Sequence, residues 1–175
     1  HFYTDTPDVV DGLFYSSLSC ALDRAKPGLK IWQGESGAQS MPHGFGAMYD
    51  MPWTEDLQAR WLVKRLVTDI ANGTELTNYF HLTDLKNYPG RGVPDYRQYC
   101  YFGLLRRDDY SPKPSFYAMQ SLATIFADNG SRCTDSGFVM TREGGSRDAP
   151  FGCRKIFHTG NYPVITAWDP RSIFD

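Results

Sequence analysis

Short β-favouring runs alternate along this chain with longer amphipathic stretches, and that alternation restricts the possible fold more than any other feature. Residues 8–26 carry Val9, Val10, Leu13, Phe14, Leu18 and Leu22 at three- and four-residue spacing, which predicts an amphipathic helix stopped by Pro27-Gly28. His1-Phe2-Tyr3 ahead of it is strand-like, and Leu29-Lys30-Ile31-Trp32-Gln33 behind it is a short strand. That strand opens at Gly34-Glu35-Ser36-Gly37 into a loop running through Pro52. Thr54 caps the next helix, with Glu55 and Asp56 in its first turn, an apolar stripe of Leu57, Trp61, Leu66, Val67 and Ile70, and Asn72-Gly73 to end it. A second strand is expected over residues 75–84, then a Gly/Pro/Tyr-rich loop over 85–99 that is long for a simple connection. A third helix starts near Pro114, carries Phe116, Tyr117, Met119, Leu122, Ile125 and Phe126, and ends before Asn129-Gly130.

Strand–helix repeated three times predicts a parallel sheet with right-handed crossovers. Beyond residue 130 the pattern changes to strands alone, at 138–141, 154–159 and 163–168, the last two joined by a Gly160-Asn161 turn. A boundary there divides the βα units of residues 1–130 from the start of a β domain over 131–175.

Composition narrows the partners. With 41% hydrophobic residues the chain can bury a core, and 18 basic against 20 acidic residues with no like-charge run offer nothing to attract nucleic acid or an anionic membrane. No apolar stretch approaches the roughly 20 residues that a spanning helix needs. Cys20, Cys100, Cys133 and Cys153 lack the paired spacing of a zinc or redox motif, so no metal and no cofactor is expected. Cys133 and Cys153 either bridge a turn-rich segment or remain free thiols. Asn72-Gly73-Thr74 and Asn129-Gly130-Ser131 match the glycosylation acceptor pattern and lean towards a secreted, extracellular protein. A start at His1 without Met suggests excision from something longer.

In parallel α/β sheets the chemistry sits where strands give way to loops. Glu35 stands at such a point between Gly34 and Gly37, which allow a sharp turn and close approach. Its carboxylate either faces a cleft or caps a turn.

Taken in order, the strand ends resemble those of a known superfamily. His1-Phe2-Tyr3 resembles the His-x-Tyr ending strand six of the clan A type (β/α)8-barrel retaining glycoside hydrolases, Trp32-Gln33-Gly34-Glu35 resembles their strand-seven nucleophile segment, and Tyr79-Phe80-His81-Leu82-Thr83-Asp84 is similar to their strand-eight Tyr-Trp-x-Phe-Ser-Asp. Ser111-Pro112-Lys113-Pro114-Ser115-Phe116-Tyr117-Ala118 resembles the start of the eighth helix, and Phe157 to Trp168 is similar to a hairpin of the β domain that follows such barrels.

The resemblance implies the last three βα units of a TIM (β/α)8 barrel, which in full takes about 250 residues, followed by part of an antiparallel β-sandwich. It implies hydrolysis of O-glycosidic bonds in poly- or oligosaccharides by a double displacement, with Glu35 as nucleophile and Tyr3 as its hydrogen-bond donor. Phe80 stands where the superfamily usually has a Trp under the sugar, a departure that leaves an apolar ring but no indole N–H. His1, Trp32 and His81 are the remaining candidate substrate-binding residues. The acid/base Glu of the superfamily follows an Asn on strand four, so it belongs to a part of the barrel preceding His1, and that part is the expected partner. The contrasting expectation is a glycosidase-like barrel without activity, kept for carbohydrate binding or structure. Tyr88, Tyr96, Tyr99 and Tyr101 serve either as sugar-stacking rings or as the long loop's own core.

Overall fold

The computed structural model describes residues 3–87, 98–127, 132–134, 154–159, 162–167 and 172–174. Helix α1, Pro7–Ala25, begins with proline at its first position, where the missing N–H has no helical partner to lose, and ends as Lys26 turns extended. Strand β1, Ile31–Ser36, follows, then helix α2, Glu55–Ala71. Thr54 caps α2 by accepting a hydrogen bond from the Leu57 N–H at 3.2 Å, and Glu55 and Asp56 lie against the positive end of its dipole. At the other end the Asn72 side chain and backbone N–H both bond to the Thr68 carbonyl, and Gly73 at φ +73° turns the chain into strand β2, Thr74–Tyr79. β1 and β2 are parallel, as the intervening helix requires.

The expectation of a second strand over 75–84 is corrected. β2 stops at Tyr79 because the chain changes partner: Phe80 N–H bonds back to the Ser36 carbonyl at 2.7 Å, while the carbonyls of His81 and Leu82 accept from Leu104 and Leu105. The ends of the 85–99 loop pair as two short antiparallel strands, β3 (Leu85–Lys86) and β4 (Tyr99–Cys100), which the sequence reading does not anticipate. Helix α3, Pro114–Ile125, again opens on proline. Two parallel strands, rather than three, occur among the described residues; His1 and Phe2 of the first expected strand lie outside them, and Tyr3 is irregular.

Strands β5 (Arg132–Thr134), β6 (Arg154–Thr159) and β7 (Tyr162–Ala167) form an antiparallel sheet in that order. The strand expected at 138–141 and the Cys133–Cys153 question fall on residues or side chains outside the described set. This sheet leans on the helices: Phe157 is fully buried in one core with Trp61, Leu62, Leu66 and Val67 of α2 and Leu122 of α3, edge-on to Phe126 at 5.0 Å. The chain is thus a mixed helix and strand structure with small sheets around one shared apolar cluster. No helix among the described residues is long and apolar enough to cross a membrane.

Candidate active site

Because β1 and β2 are parallel, their C-terminal ends carry Glu35 and Phe80 to the same edge of the sheet. Tyr3 arrives there ahead of α1, where the Trp61 indole N–H bonds to the neighbouring Thr4 carbonyl at 2.6 Å. The Tyr3 hydroxyl donates to Glu35 Oε1 at 2.6 Å, the length of a charge-assisted bond. Buried Phe102 backs the Tyr3 ring, stacked at 5.7 Å with 19° between the planes, and meets Phe80 edge-on at 6.0 Å. Phe80 and His81, joined by a cis peptide, are edge-to-face at 4.3 Å. Gly37 closes the group, since a Cβ at that position would lie 2.3 Å from the Phe80 carbonyl oxygen.

His81 is held neutral. Burial is the main cause and the nearby Lys113 charge the second; together they push its pKa down from 6.5 to about 4, against smaller upward pulls from a hydrogen bond to the Thr83 backbone and from the Glu35 charge. The imidazole lies against the Phe80 ring, hydrogen-bonds to the Thr83 backbone and keeps Nε2 buried, so it adds no charge to the group. The arrangement offers a carboxylate oriented by a phenol, an apolar ring face and a neutral imidazole.

Trp32 does not join this group. It lies near the start of β1, two-thirds exposed, with its indole N–H on Glu75 Oε2 at 2.8 Å, and Glu75 also pairs with Lys30. Gln33 and Gly34 separate it from Glu35 along the extended strand, so it stands towards the other end of the sheet. His1 lies outside the described residues. Tyr99 and Tyr101 stack on each other at 5.4 Å and 5°, Lys86 lies over the Tyr99 ring, and Gly44 packs so closely on Tyr101 that a Cβ would sit 2.7 Å from it. One face of each ring is taken by the other. Tyr88 and Tyr96 lie outside the described residues.

Sequence reasoning missed the supports of the site. Phe102 carries no motif, and Gln58 on α2, fully buried, donates to the carbonyls of Ala38, Tyr101 and Gly103 while accepting from Ser115. Only the amide's unusual place on the buried stripe of α2 signals it. No group of three or more His, Cys, Asp or Glu side chains among the described residues is placed to hold a metal ion. The groove of about 600 Å³ lined by Tyr15, Ser19, Arg24 and Asn72 lies by the C-terminal end of α2, away from Glu35.

No protein-family model and no curated protein matches the sequence. Among solved structures, the chain is similar to a β-glucuronidase of Bifidobacterium dentium complexed with coumarin-3-O-glucuronide, at 17% identity over 62% of this chain and 17% of that one, with a TM-score of 0.42. It is similar to a GH2 β-galacturonidase from Eisenbergiella tayi bound to galacturonate, at 14% identity over 69% and 22% with a TM-score of 0.47. A Faecalibacterium prausnitzii β-glucuronidase gives 18% identity over 71% and 21% with a TM-score of 0.44. The chain spans about a fifth of the length of these proteins, and likenesses at this level establish neither a shared fold nor a shared activity.

Proposed function

We propose that this chain carries the nucleophile side of the active site of a retaining glycoside hydrolase acting on poly- or oligosaccharides. The observation that carries the reading is the 2.6 Å hydrogen bond from Tyr3 to Glu35 at the C-terminal end of two parallel strands, beside the Phe80 ring. In the proposed reaction a Glu35 oxygen attacks the anomeric carbon, the glycosidic C–O bond breaks, and a separate carboxyl group protonates the leaving oxygen. That carboxyl group, now ionised, then takes a proton from water as the water oxygen attacks the anomeric carbon of the glycosyl-enzyme ester, and Glu35 departs as carboxylate. Tyr3 orients the attacking group, and Phe80, with neutral His81 edge-on to it, offers its face to sugar C–H groups.

The proposal includes the remaining units of a (β/α)8 barrel. Parallel strands need cover on both faces, whereas Trp32 and Leu76, paired across β1 and β2, are 66% and 44% exposed. Residues 1–130 would supply the last barrel units and 131–175 the start of a β domain; the acid/base carboxyl and the cleft edge near His1 would complete the site, in a secreted protein.

The test uses the complete protein. Glu35→Gln is nearly isosteric but cannot form the ester, so folding should persist while turnover falls by several orders of magnitude. A 2-fluoro glycoside should label Glu35 in the wild type and leave the variant unlabelled, as peptide mass mapping would show. Near-normal turnover by Glu35→Gln would make Glu35 a turn residue. Saccharide binding by a wild type that neither turns over nor labels would favour the inactive, carbohydrate-binding barrel.

A further inference from the structure

Lys113 is an unusual residue to find at the start of a helix. It is 1% exposed, and its ammonium bonds to side chains from two separate stretches of chain. Nζ donates to Asp84 Oδ1 at 2.6 Å and to Ser40 Oγ at 2.8 Å. The same Asp84 oxygen accepts from the Gly103 N–H at 2.9 Å, and the backbone N–H of Lys113 bonds to the Leu104 carbonyl. Ser40 is itself tied by N–H and hydroxyl to the Tyr101 carbonyl.

Each of these attachments lies a few residues from a member of the Glu35 group. Ser40 follows Glu35 by five residues in the loop that leaves β1, Asp84 follows Phe80 by four, and Gly103 is joined to Phe102, whose ring backs Tyr3. The fit around Gly103 is close: a Cβ there would lie 2.1 Å from Asp84 N. Gln58, the Ser40 hydroxyl and the Asp84 carboxylate already tie these segments to the Tyr101 and Gly103 backbone, and the Lys113 ammonium adds the direct link between Ser40 and Asp84. A buried ammonium requires acceptors around it, so the segments that provide them cannot move apart without leaving a charge unpaired in the interior.

We propose that Lys113 is a positioning residue for the candidate active site: its buried ammonium holds the Ser40 loop and Asp84 in register, and through Gly103 keeps Phe102 stacked on Tyr3 so that Tyr3 meets Glu35. The inference rests on the proposed nucleophile role of Glu35 only for its kinetic readout. Lys113 touches neither Glu35 nor Tyr3 in the contacts described above, so its effect is transmitted through the loops.

The experiment uses the complete protein and Lys113→Met, with Ser40→Ala as the milder variant that removes one acceptor of the ammonium and the hydroxyl bond to the Tyr101 carbonyl, but no charge. Assayed well below its melting temperature, Lys113→Met should lose about tenfold or more in kcat with KM changed less than about threefold, and labelling of Glu35 by the 2-fluoro glycoside should slow in parallel, because small displacements of a reacting group carry large rate penalties. Ser40→Ala should show a smaller loss of the same kind and decides the matter if Lys113→Met fails to fold. A lowered melting temperature with kcat and labelling unchanged would overturn the proposal and leave Lys113 a structural anchor. Should the wild type not label at Glu35, the nucleophile reading fails by itself. The positioning proposal is then judged from crystal structures of the variants, in which loss of the Phe102–Tyr3 stack and of the Tyr3–Glu35 bond supports it and an unchanged pair refutes it.

Discussion

Helix α2 carries two Asp/Arg pairs four residues apart, and their surroundings give them different work. Asp56 and Arg60 meet at 2.8 Å with both side chains about two-thirds exposed. Arg65 and Asp69 are fully buried, and Asp69 also accepts from the Tyr15 hydroxyl at 2.8 Å and from Thr77 at 2.7 Å. The exposed pair has the order an isolated helix prefers, acid before base, while the buried pair has the reverse, placing a carboxylate near the negative end of the dipole. Tertiary contacts therefore decide the second pair: it joins α1, α2 and β2 through one carboxylate. Burial, then the Asp69 charge, raise the Tyr15 pKa to about 12, so the phenol remains a donor. Lys113 and Asp84 are the third case, a buried pair whose partners lie 29 residues apart and at the Glu35 edge; burial drives both towards their neutral forms and each draws the other back.

The largest effect expected from this contrast is at Asp69. Asp69→Ala strands a buried guanidinium and should cost about 3–5 kcal/mol in urea unfolding, while the Tyr3–Glu35 contact in the folded fraction stays intact. A cost under about 1 kcal/mol would mean that the buried pair is no stronger than an exposed one. Gly103→Ala should come next, at about 1–3 kcal/mol from overpacking, because the added methyl meets Asp84 and Thr83 backbone atoms that no side-chain rotation can clear. Unlike Asp69→Ala, it should also displace Phe102, visible as loss of the Tyr3 stack in a crystal structure.

These contrasts also explain what the sequence discloses. Thr54 and Pro114 mark helix starts because the signals at a helix N-terminus are local, and the stripe through Trp61, Leu66 and Val67 marks the face of α2 that the core covers. The end of β2 is hidden because Tyr79 to Thr83 favours strand throughout, and only the distant Leu104 and Leu105 decide the change of partner. Trp32 enters with Glu35 through the resemblance of the Trp32-Gln33-Gly34-Glu35 segment, and the distance between the two along the strand is not part of that signal. Lys113 before Pro114 looks like a solvated residue at a helix start, and its burial depends on Ser40 and Asp84, which are 73 and 29 residues away. Tyr3 and Glu35 lie 32 residues apart, and it was the order of strand-end motifs, rather than periodicity, that set them side by side.

His81 gives a pH test of the candidate site. Its pKa falls from 6.5 to about 4 on folding, so between those values the unfolded chain binds more protons than the folded one. Stability should thus be retained above about pH 6.5 and decline as pH falls towards 4. Melting curves of wild type and His81→Gln over that range should differ in slope, the variant being flatter; equal slopes would mean that the imidazole titrates as in the unfolded chain.

The smallest effect belongs to the exposed pair. Arg60→Ala removes a contact between side chains that water already solvates, and holding two long chains in one geometry costs entropy that offsets much of the attraction. The expected loss is about 0.3–0.5 kcal/mol in urea unfolding at low ionic strength. It should shrink further in about 1 M salt, where the Debye length is about 3 Å. The penalty of Asp69→Ala should change little with salt, since both partners are buried away from the ions. If Arg60→Ala instead costs more than about 1 kcal/mol, independent of salt, then the side chain stabilises α2 through packing of its methylenes rather than through its charge, and burial alone would not account for the difference between the two pairs.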